Sequence, residues 1–387
     1  MAAAIDFGTS KIVTLIAESN RYHRCDIIGA GLAPYDGYKE GYWNVPEKVN
    51  EAIETSIREA ERQSGETVRE VYIGVPGEFS RVYVTETSLQ LQGVEPQVTP
   101  PNVEQIFEQA GREIGELRGV VIHRSPAWFT VDDGNKVMEP VGIKGTTLKT
   151  FVSFIVADEF FLTDMNRRMQ GLGVDVAGFF STPMGESIFF LPAEDRDRTA
   201  VLIDIGYLNT EIMAVEGDAL VFHKVIDVGG AHIALDLAYG LEIKLSVAEE
   251  LKRNYVFGMP SSGNIQVVPP GGRPVSYPRE QVGNILEPRV DEIAELIREE
   301  LDNSGVRLGS WSNVYLTGGG LAMMRGGREY LSSQMERPIR ATPPKAANLN
   351  SPIYASALGL MDLVFETVEK EEESGGIFDK VKGLFRR

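Results

Sequence analysis

The sequence predicts an α/β protein built from two related halves. Its 387 residues exceed the roughly 100–200 residues of an ordinary domain, so we expect two or more domains. Strand-like apolar runs alternate with stretches of helical periodicity, which is typical of an α/β layer. The thirteen residues from Asp6 to Glu18 also resemble, without a gap, the thirteen from Asp204 to Glu216. Such a repeat indicates a duplicated fold with a cleft between its halves, although three identities in thirteen can also arise by chance.

The first third of the chain contains four expected strands and one expected helix. The strands are the apolar runs Ala2–Phe7, Ile12–Ile16, Asp26–Gly31 and Val71–Val75. A helix is expected over Pro46–Gln63, where six small or apolar residues recur at helical spacing. Pro46 near its start and Gly65 just beyond its end are residue types that commonly mark those positions.

Residues 78–156 depart from this pattern and are interpreted as an inserted module. We expect strands there over Arg81–Leu91 and Lys149–Val156, and one helix over Asn102–Leu117. The α/β pattern then returns. The next expected elements are Phe161–Leu172, strands at Thr199–Ile205 and Glu211–Val215, and helices at Gly230–Tyr239 and Val247–Tyr255.

The last part of the predicted α/β pattern begins with a Pro/Gly-rich loop at Val267–Pro278. The loop leads into a long helix, Glu287–Leu301, with Pro288 in its first turn and apolar residues along one face. A final strand is expected at Asn313–Thr317.

Charge and cysteine content narrow the possible functions. The formal charge is −18, from 38 Lys and Arg against 56 Asp and Glu, and this field disfavours nucleic-acid binding. Cys25 is the single cysteine, so no intramolecular disulfide can form and a structural zinc site lacks ligands, as in a reducing cytosol. The apolar runs are shorter than the roughly 18–20 residues of a membrane-spanning helix, and we expect no signal peptide.

Asp6 and the residues after it have the composition of a phosphate-binding turn. Gly8 allows the backbone to approach a ligand closely, and the amides and hydroxyls of Thr9 and Ser10 can donate to phosphate oxygens. Lys11 can neutralise phosphate charge. The Gly-x4-Gly-Lys-Ser/Thr pattern of a P-loop is absent from the sequence.

A second carboxylate, Asp204, ends the matching strand of the other half. Two facing carboxylates can hold a hydrated Mg²⁺ that keeps several of its waters, so Asp6 and Asp204 are candidate metal-binding residues. Either turn taken alone is equally compatible with an ordinary β-turn.

Two later motifs add candidate contacts for a nucleoside. Gly318, Gly319 and Gly320 follow a strand and form a surface on which a flat adenosine can lie against backbone. Glu249 and Lys252 lie three residues apart on one helical face, so both can reach the hydroxyls of one ribose. The alternative for this pair is a solvated surface ion pair.

In combination these motifs resemble a known family. The order Asp-Phe-Gly-Thr-Ser-Lys, Asp-Ile-Gly, Ala-Glu-x-x-Lys and Leu-Thr-Gly-Gly-Gly resembles the actin/Hsp70/sugar-kinase superfamily, and within it the bacterial FtsA family. The loop Ile5–Lys11, the module at 78–156, the stretch Ile285–Arg289 before the long helix and the C-terminal tail favour FtsA over the rod-shape actin homologues. The resemblance covers essentially the whole chain. It implies an actin-like (RNase H-like) two-lobed ATPase fold with an FtsA-type inserted subdomain.

The resemblance also implies an ATP site that uses Mg²⁺. Its expected nucleotide-binding residues are Asp6, Gly8, Thr9, Ser10, Lys11, Gly206, Asn209, Glu249, Lys252, Gly318, Gly319 and Gly320, and its candidate catalytic residues are Asp6 and Asp204. The second loop departs from the usual family pattern Asp-Ile-Gly-Gly-Gly-Thr, because Tyr207 and Leu208 stand where the family has glycines. A displaced amide no longer supports a transferring phosphoryl group, so we expect ATP binding with slow or absent hydrolysis.

Domain boundaries follow from the same resemblance. We expect a first lobe (1A) at 1–77 and 157–197, an inserted subdomain (1C) at 78–156, a second lobe (2A) at 198–244 and 303–368, a small subdomain (2B) at 245–302, an acidic flexible linker at 369–376 and an amphipathic helix at 377–387.

The last eleven residues have the pattern of a helix that lies in the plane of a membrane surface. Their apolar residues recur at helical spacing, and four basic residues against one acidic residue give +3 in a protein of charge −18. Such a helix binds anionic lipids, and at about 16 Å it is too short to span the bilayer. The alternative is a terminal helix packed on the protein body. The expected membrane-binding residues are Ile377, Phe378, Lys380, Val381, Lys382, Leu384, Phe385, Arg386 and Arg387.

The resemblance implies a protein that tethers FtsZ filaments to the cytoplasmic face of the cell membrane at the division site. The expected partners are the acidic C-terminal peptide of FtsZ, with Arg279 and Arg289 as candidate contacts, a second copy in a head-to-tail filament through the inserted module, and other divisome proteins. One alternative is a small-molecule kinase, for which no carboxylate stands out as a general base. A second alternative is a PilM-like protein of type IV pilus assembly, which shares the fold and the inserted module.

Overall fold

The structure is a computed structural model that describes residues 1–19, 25–269, 272–309, 311–343, 349 and 351–374. The chain forms two compact units. Unit 1 comprises Met1–Thr199, Ala214–His223 and the chain from Ser356 onward, and unit 2 comprises Ala200–Met213 and Lys224–Ala355. The finer division into subdomains stays a prediction, but the helix after Ser356, expected in the second lobe, belongs to unit 1.

The elements up to residue 199 include the first main sheet and the inserted module. They are β1 Ala2–Phe7, β2 Lys11–Ser19, β3 Cys25–Pro34, β4 Tyr38–Lys39, β5 Tyr42–Trp43, α1 Pro46–Ser64, β6 Glu70–Val75, β7 Ser80–Gln90, α2 Pro100–Ile114, β8 Val120–Val131, β9 Thr147–Ala157, α3 Glu159–Leu172, β10 Asp175–Ser181, α4 Thr182–Phe190 and α5 Ala193–Arg196.

The elements after residue 199 include the second main sheet. They are β11 Ala200–Ile205, β12 Thr210–Glu216, β13 Ala219–Ile226, α6 Gly230–Gly240, α7 Leu245–Asn254, β14 Asn264–Val267, β15 Val275–Pro278, α8 Arg279–Asn303, β16 Val314–Thr317, α9 Gly327–Gln334, β17 Ile339–Ala341 and α10 Ala355–Ser374.

The two main sheets have the same strand order. The first is β3-β2-β1-β6-β10 and the second is β13-β12-β11-β16-β17, so each begins with three consecutive strands and adds two more after crossovers. The added strands are parallel to their neighbours in both sheets, as β6 is to β1 and β16 is to β11. This matched topology confirms the predicted α/β class and explains the sequence repeat as a structural one.

Helix α1 lies directly on β3, as close backbone packing shows. A Cβ on Gly31 would stand 1.8 Å from the carbonyl oxygen of Ser56, and the hydroxyl of Ser56 hydrogen-bonds to that of Thr14 at 2.8 Å. The helix ends at Gly65, whose φ of 77° and N–H bond to the Glu61 carbonyl form a left-handed cap. The expected helix is therefore correct to within one residue.

The inserted module consists of helix α2 on a three-stranded antiparallel sheet in the order β7-β9-β8. Its core includes Ile106, Phe129 and Leu148. Strand β8 was not predicted, because register shifts after Val121 and Pro126 interrupt the alternation of inward and outward side chains.

The expected start of the long helix is wrong. Helix α8 begins at Arg279, eight residues before Glu287, so Pro288 and the stretch Ile285–Arg289 lie inside it. A proline in a helix interior removes one hydrogen bond and costs about 3 kcal/mol, but the helix buries Val282 and Leu286 before the proline and several apolar residues after it. Packing therefore overrides the local signal. The expected loop at Val267–Pro278 is also partly wrong, since β14 and β15 pair as a hairpin there.

The C-terminal segment is helical further than expected. Helix α10 runs from Ala355 to Ser374, so residues 369–374 of the expected acidic linker are helical; glutamate and lysine favour helix when tertiary contacts begin one. The rest of the linker and the expected amphipathic helix at 377–387 lie outside the described residues. Across the described part of the chain, no helix has both the length and the apolar character that crossing a bilayer requires.

Candidate functional site

The first candidate loop is the turn between β1 and β2. Asp6 is the fifth residue of the six in β1, and the N–H of Gly8 donates to the Lys11 carbonyl at 3.0 Å to close the turn. Asp6 is 3% exposed. Its carboxylate accepts hydrogen bonds from Ser356 Oγ at 2.6 Å and from Thr182 Oγ1 at 3.4 Å. These bonds orient the Asp6 carboxylate.

The second candidate loop is the turn between β11 and β12. Asp204 is the fifth residue of the six in β11, and the Gly206 N–H donates to the Asn209 carbonyl at 2.9 Å. The structure thus gives Asp6 and Asp204 equivalent positions in two matched sheets, each two residues before a glycine that starts the turn.

The second loop also holds the start of helix α6. The Gly206 carbonyl accepts from the N–H of Gly230 at 2.9 Å, and the Tyr207 carbonyl accepts from the N–H of Ala231 at 2.7 Å. The first amides of a helix have no partner within it, and here the loop supplies two partners. These two amides therefore have partners in the loop.

The glycines after β16 have two different roles. A Cβ on Gly318, which has a φ of +91°, would stand 2.0 Å from Asp204 Oδ1, and a Cβ on Gly320 would stand 2.4 Å from the Gly206 carbonyl oxygen. These two glycines are required by packing against the second loop. Gly319 has a negative or extended φ, and a Cβ there would meet only Ile353 at 3.4 Å, so it is the glycine whose missing side chain leaves room for a ligand.

The Glu249–Lys252 pair on α7 is not a solvated surface pair. Lys252 is 4% exposed, and its ammonium donates to the Gly230 carbonyl at 2.8 Å and to Glu249 Oε2 at 2.9 Å. Burial lowers the pKa of Lys252, against the effect of Glu249. Lys252 thus joins α7 to the first turn of α6, while we had expected it to reach a ribose.

Two buried oxygen atoms near these elements fit a nucleoside. Among the described residues, Glu249 Oε1 and Thr317 Oγ1 are buried without a hydrogen-bond partner. A buried acceptor left unpaired costs about 1–3 kcal/mol, so such atoms commonly mark a position that a ligand completes. Glu249 Oε1 can accept from a ribose hydroxyl, and Thr317 immediately precedes Gly318. The residues present are therefore compatible with ATP.

Tyr207 occupies the position at which the sequence departs from the family pattern. Its side chain is half-buried. Burial and then the charge of Glu249 raise the pKa of its phenol, so the ring approaches the acidic side chain of α7. The turn remains closed despite the substitutions, since the Gly206 and Asn209 bond is intact.

The two candidate partner-binding arginines are engaged within unit 2. Arg289 lies in the middle of α8, and its guanidinium binds both oxygens of Asp236 on α6, at 2.6 and 3.0 Å, as well as Glu292. The bond to Asp236 raises the pKa of Arg289. Arg279 donates to the Val256 carbonyl at 3.0 Å and lies over the ring of Tyr255. A peptide that used Arg289 would compete with Asp236.

Several residues of the first loop were missed by the sequence reasoning. The Asp6 carboxylate accepts hydrogen bonds from Ser356 and Thr182. The carbonyls of Gly8 and Phe7 accept hydrogen bonds from the hydroxyls of Tyr35 and Tyr38. A hydroxyl residue far along the chain carries no local signal of such a contact. Within the described residues, no cluster of three His, Cys, Asp or Glu side chains is arranged to bind a metal.

Comparison with known proteins finds similar cell division proteins. A family model described as "Cell division protein FtsA" matches residues 201–359. The cell division protein FtsA of Pseudomonas aeruginosa is 25% identical over 93% of this chain and 88% of its own length. The FtsA protein of Rhizobium meliloti is 25% identical over 100% of this chain and 92% of its own length.

Solved structures show the same fold at low identity. The chain matches a PilM-PilN type IV pilus biogenesis complex with a TM-score of 0.64 and 18% identity, over 94% of this chain and 98% of that one. It matches MreB5 of Spiroplasma citri bound to AMPPNP with a TM-score of 0.57 and 13% identity, over 96% and 98%. It matches a MamK double helical filament with a TM-score of 0.53 and 12% identity, over 94% of this chain and 99% of that one. With its actin-like fold and these relatives along nearly its whole length, the chain is similar to the FtsA cell division proteins.

Proposed function

We propose that this protein is an ATP-binding, actin-like cell division protein that assembles at the membrane and attaches FtsZ filaments to it. The observation that carries the nucleotide proposal is the equivalence of Asp6 and Asp204. Both stand fifth in the first strand of sheets with the same strand order, and both are followed by a glycine-initiated turn. Support also comes from MreB5, a structure of the same fold whose description includes bound AMPPNP.

Each motif takes one part of the nucleotide in this proposal. The amides and hydroxyls of Thr9 and Ser10, with the charge of Lys11, bind the phosphates, as do the amides after Gly206 in the second turn. Gly8 and Gly206 close the two turns through their own N–H groups and let the backbone approach the phosphates. The buried Glu249 Oε1 accepts from a ribose hydroxyl, and the Gly318–Gly320 backbone lies against the nucleoside. Lys252 supports Glu249 through their ion pair and fixes α7 to α6.

Asp6 and Asp204 are the residues that would hold Mg²⁺ through its waters, and the ion would supply neutralisation of phosphate charge. The bonds from Ser356 and Thr182 give the Asp6 carboxylate one orientation, which an ion held through water requires. The same two aspartates are the candidate catalytic residues.

Hydrolysis is expected to be slow. Tyr207 and Leu208 bring two side chains into a turn where the family usually has glycine, and the Tyr207 carbonyl is already bound by α6. We expect turnover below about 1 per second, the lower end of the ordinary enzyme range. Replacing both residues by glycine restores the family pattern and should raise turnover; equal or lower turnover in that variant contradicts the explanation.

Calorimetric titration with Mg·ATP tests nucleotide binding. Lys11→Ala is expected to weaken binding, because it removes phosphate-neutralising charge without disturbing the buried network around Asp6. Lys39→Ala, which removes an exposed lysine of β4, is the matched control and should bind ATP like the wild type. Wild-type protein that binds no ATP refutes the proposal, and equal affinities for the two variants refute the assignment of the first loop.

The membrane role is proposed from the amphipathic pattern of residues 377–387 and from the similarity to FtsA proteins. Each basic residue adds about 1 kcal/mol near anionic lipid, so one copy binds weakly and a filament binds by avidity. The proposed location is the cytoplasmic face of the membrane at the division site. Flotation of the full chain with liposomes of anionic lipid, compared with a chain that ends at Gly376, separates this role from a kinase, for which both chains would remain unbound.

Self-assembly and partners complete the proposal. We expect head-to-tail filaments in which the inserted module of one copy meets the next, a heterologous contact that extends without closing. The partners are the C-terminal peptide of FtsZ and other divisome proteins. Electron microscopy on a lipid monolayer with ATP tests the filament, and isolated particles under those conditions contradict it.

A further inference from the structure

The segment that follows β3 lies against the turn of the first loop. The hydroxyl of Tyr35 donates to the Gly8 carbonyl at 2.8 Å, and the backbone N–H of Tyr35 donates to the Ser10 carbonyl at 3.1 Å. The hydroxyl of Tyr38 donates to the Phe7 carbonyl at 3.0 Å. Tyr35 therefore binds two carbonyls of the residues that connect β1 and β2, and Tyr38 binds the carbonyl of the last residue of β1.

Close packing of backbone against backbone accompanies these bonds. Gly37, between the two tyrosines, has a φ of +71°, and a Cβ there would stand 2.1 Å from the carbonyl oxygen of Thr9. Any side chain at this position would push the segment away from the turn. Tyr35 and Gly37 thus contact the four-residue turn Gly8–Lys11, and the Tyr38 hydroxyl contacts the residue just before it.

Because the peptide bond is planar, these contacts to carbonyls also orient the N–H groups of Thr9 and Lys11. In a trans peptide, the carbonyl of one residue and the N–H of the next point in opposite directions. Binding of the Gly8 carbonyl to Tyr35 therefore directs the Thr9 N–H away from the segment. Binding of the Ser10 carbonyl directs the Lys11 N–H away in the same manner.

The tyrosine side chains are themselves fixed. The ring of Tyr38 packs edge-on against Trp43 and Phe79, with centroids 5.8 and 5.2 Å away, and Tyr38 is 2% exposed. The Trp43 indole N–H donates to Asp164 at 2.9 Å. Burial, followed by the charges of Asp6 and Glu78, raises the pKa of Tyr35 well above its usual value of 10.0, so its hydroxyl stays a donor at any working pH.

We propose that Tyr35 and Tyr38 are positioning residues for the first loop: Tyr35 holds its Thr9 and Lys11 amides facing the phosphates of a nucleotide, and Tyr38 fixes the end of β1 from which the loop starts. They touch neither the phosphates nor the metal ion. This inference rests on the proposed function, since it concerns the same loop. Its specific consequence is that loss of a tyrosine hydroxyl weakens recognition of phosphate and leaves recognition of the nucleoside unchanged.

Calorimetric titrations of the full chain with Mg·ATP and with adenosine test this inference. Tyr35→Phe and Tyr38→Phe each remove one hydroxyl and keep the ring, so we expect the Kd for ATP to rise about 3- to 10-fold, the factor for one hydrogen bond. The Kd for adenosine should not change. Tyr42→Phe makes the same chemical change at a 71% exposed tyrosine of the same segment, and it should match the wild type with both ligands.

The outcomes separate this inference from the proposed function. Equal ATP affinity in wild type, Tyr35→Phe and Tyr38→Phe overturns the positioning role and leaves ATP binding intact. A parallel loss of affinity for ATP and adenosine also overturns it, because a general structural role would weaken both. A wild-type chain that binds neither ligand refutes the proposed function, and the inference with it.

Discussion

Ser356 Oγ donates a hydrogen bond to the Asp6 carboxylate at 2.6 Å, although 350 positions separate the two residues in the chain. The bond brings the start of α10 to the end of β1, within unit 1. Gly359, one turn later, packs so tightly on α4 that a Cβ there would stand 2.4 Å from the Cα of Glu186. The orientation of Asp6 thus depends on a helix from the far end of the chain.

Replacing Ser356 by alanine is expected to destabilise the protein by about 1.5 kcal/mol, the lower end of the range for a hydrogen bond to a charged group, because the bond is only partly buried. Urea unfolding measures the change. Ser333→Ala, at an exposed serine of α9, should shift stability by no more than about 0.5 kcal/mol. A loss no larger than that of the control would show that the bond contributes nothing to stability.

Asp164 is the centre of a buried ionic network that supports the segment around Trp43. It accepts from Trp43 Nε1 at 2.9 Å and from Arg168 Nε at 2.6 Å, and its side chain is 3% exposed. Asp164→Asn leaves the Arg168 charge without a counter-charge, so we expect a loss of about 3–5 kcal/mol. Asp175→Asn, at an exposed aspartate of β10, is the control in the same urea titration. Similar midpoints for the two variants would contradict the prediction.

His123, in the bulged part of β8, predicts a pH dependence of stability. Burial lowers the pKa of His123 from 6.5 to about 4. Between pH 4 and pH 6.5 the unfolded chain binds a proton that the folded chain does not. The free energy of unfolding is therefore unaffected by His123 above pH 6.5 and decreases as the pH falls towards 4. The loss is about 2 kcal/mol, allowing for the partial exposure of the ring.

The variant His123→Gln should remove this part of the pH dependence. Urea unfolding of both proteins at several values between pH 4 and 7 measures it, and the difference between the two curves isolates the histidine from the carboxylates. If the two proteins lose stability in parallel over that range, the histidine is not the cause.

The Arg289–Asp236 ion pair predicts how the FtsZ peptide responds to a change at Asp236. If Arg289 contacts the acidic peptide, Asp236→Asn releases its guanidinium and should tighten binding about 2- to 5-fold at low salt, while Arg289→Glu should weaken it. Both effects should shrink at high salt. Fluorescence anisotropy with a labelled FtsZ C-terminal peptide measures them.

The charge-matched control for the peptide experiment is Arg273→Glu, which changes an exposed arginine elsewhere in unit 2. It separates a specific contact from a general change in net charge. Peptide affinity that is the same in Asp236→Asn, Arg289→Glu and the control would remove Arg289 from the binding site.

Elements with a local signal could be predicted from the sequence. The helix at Pro46–Ser64 was predicted to within one residue, because its apolar spacing, initial proline and terminal glycine agree. The sequence also predicted that Asp6 and Asp204 lie at strand ends, and it predicted the similarity to FtsA. The spacing of a motif along one strand and turn does not depend on the rest of the fold.

Tertiary structure decided the features that depend on residues distant in the chain. Only packing carries α8 through Pro288, because its buried face offsets the lost hydrogen bond. Only the fold shows that Lys252 is directed at the Gly230 carbonyl, and that Tyr35 and Ser356 bind the first loop. A hydroxyl or ammonium group takes whichever acceptor the fold places within about 3 Å, and no local pattern of residues records which acceptor that is.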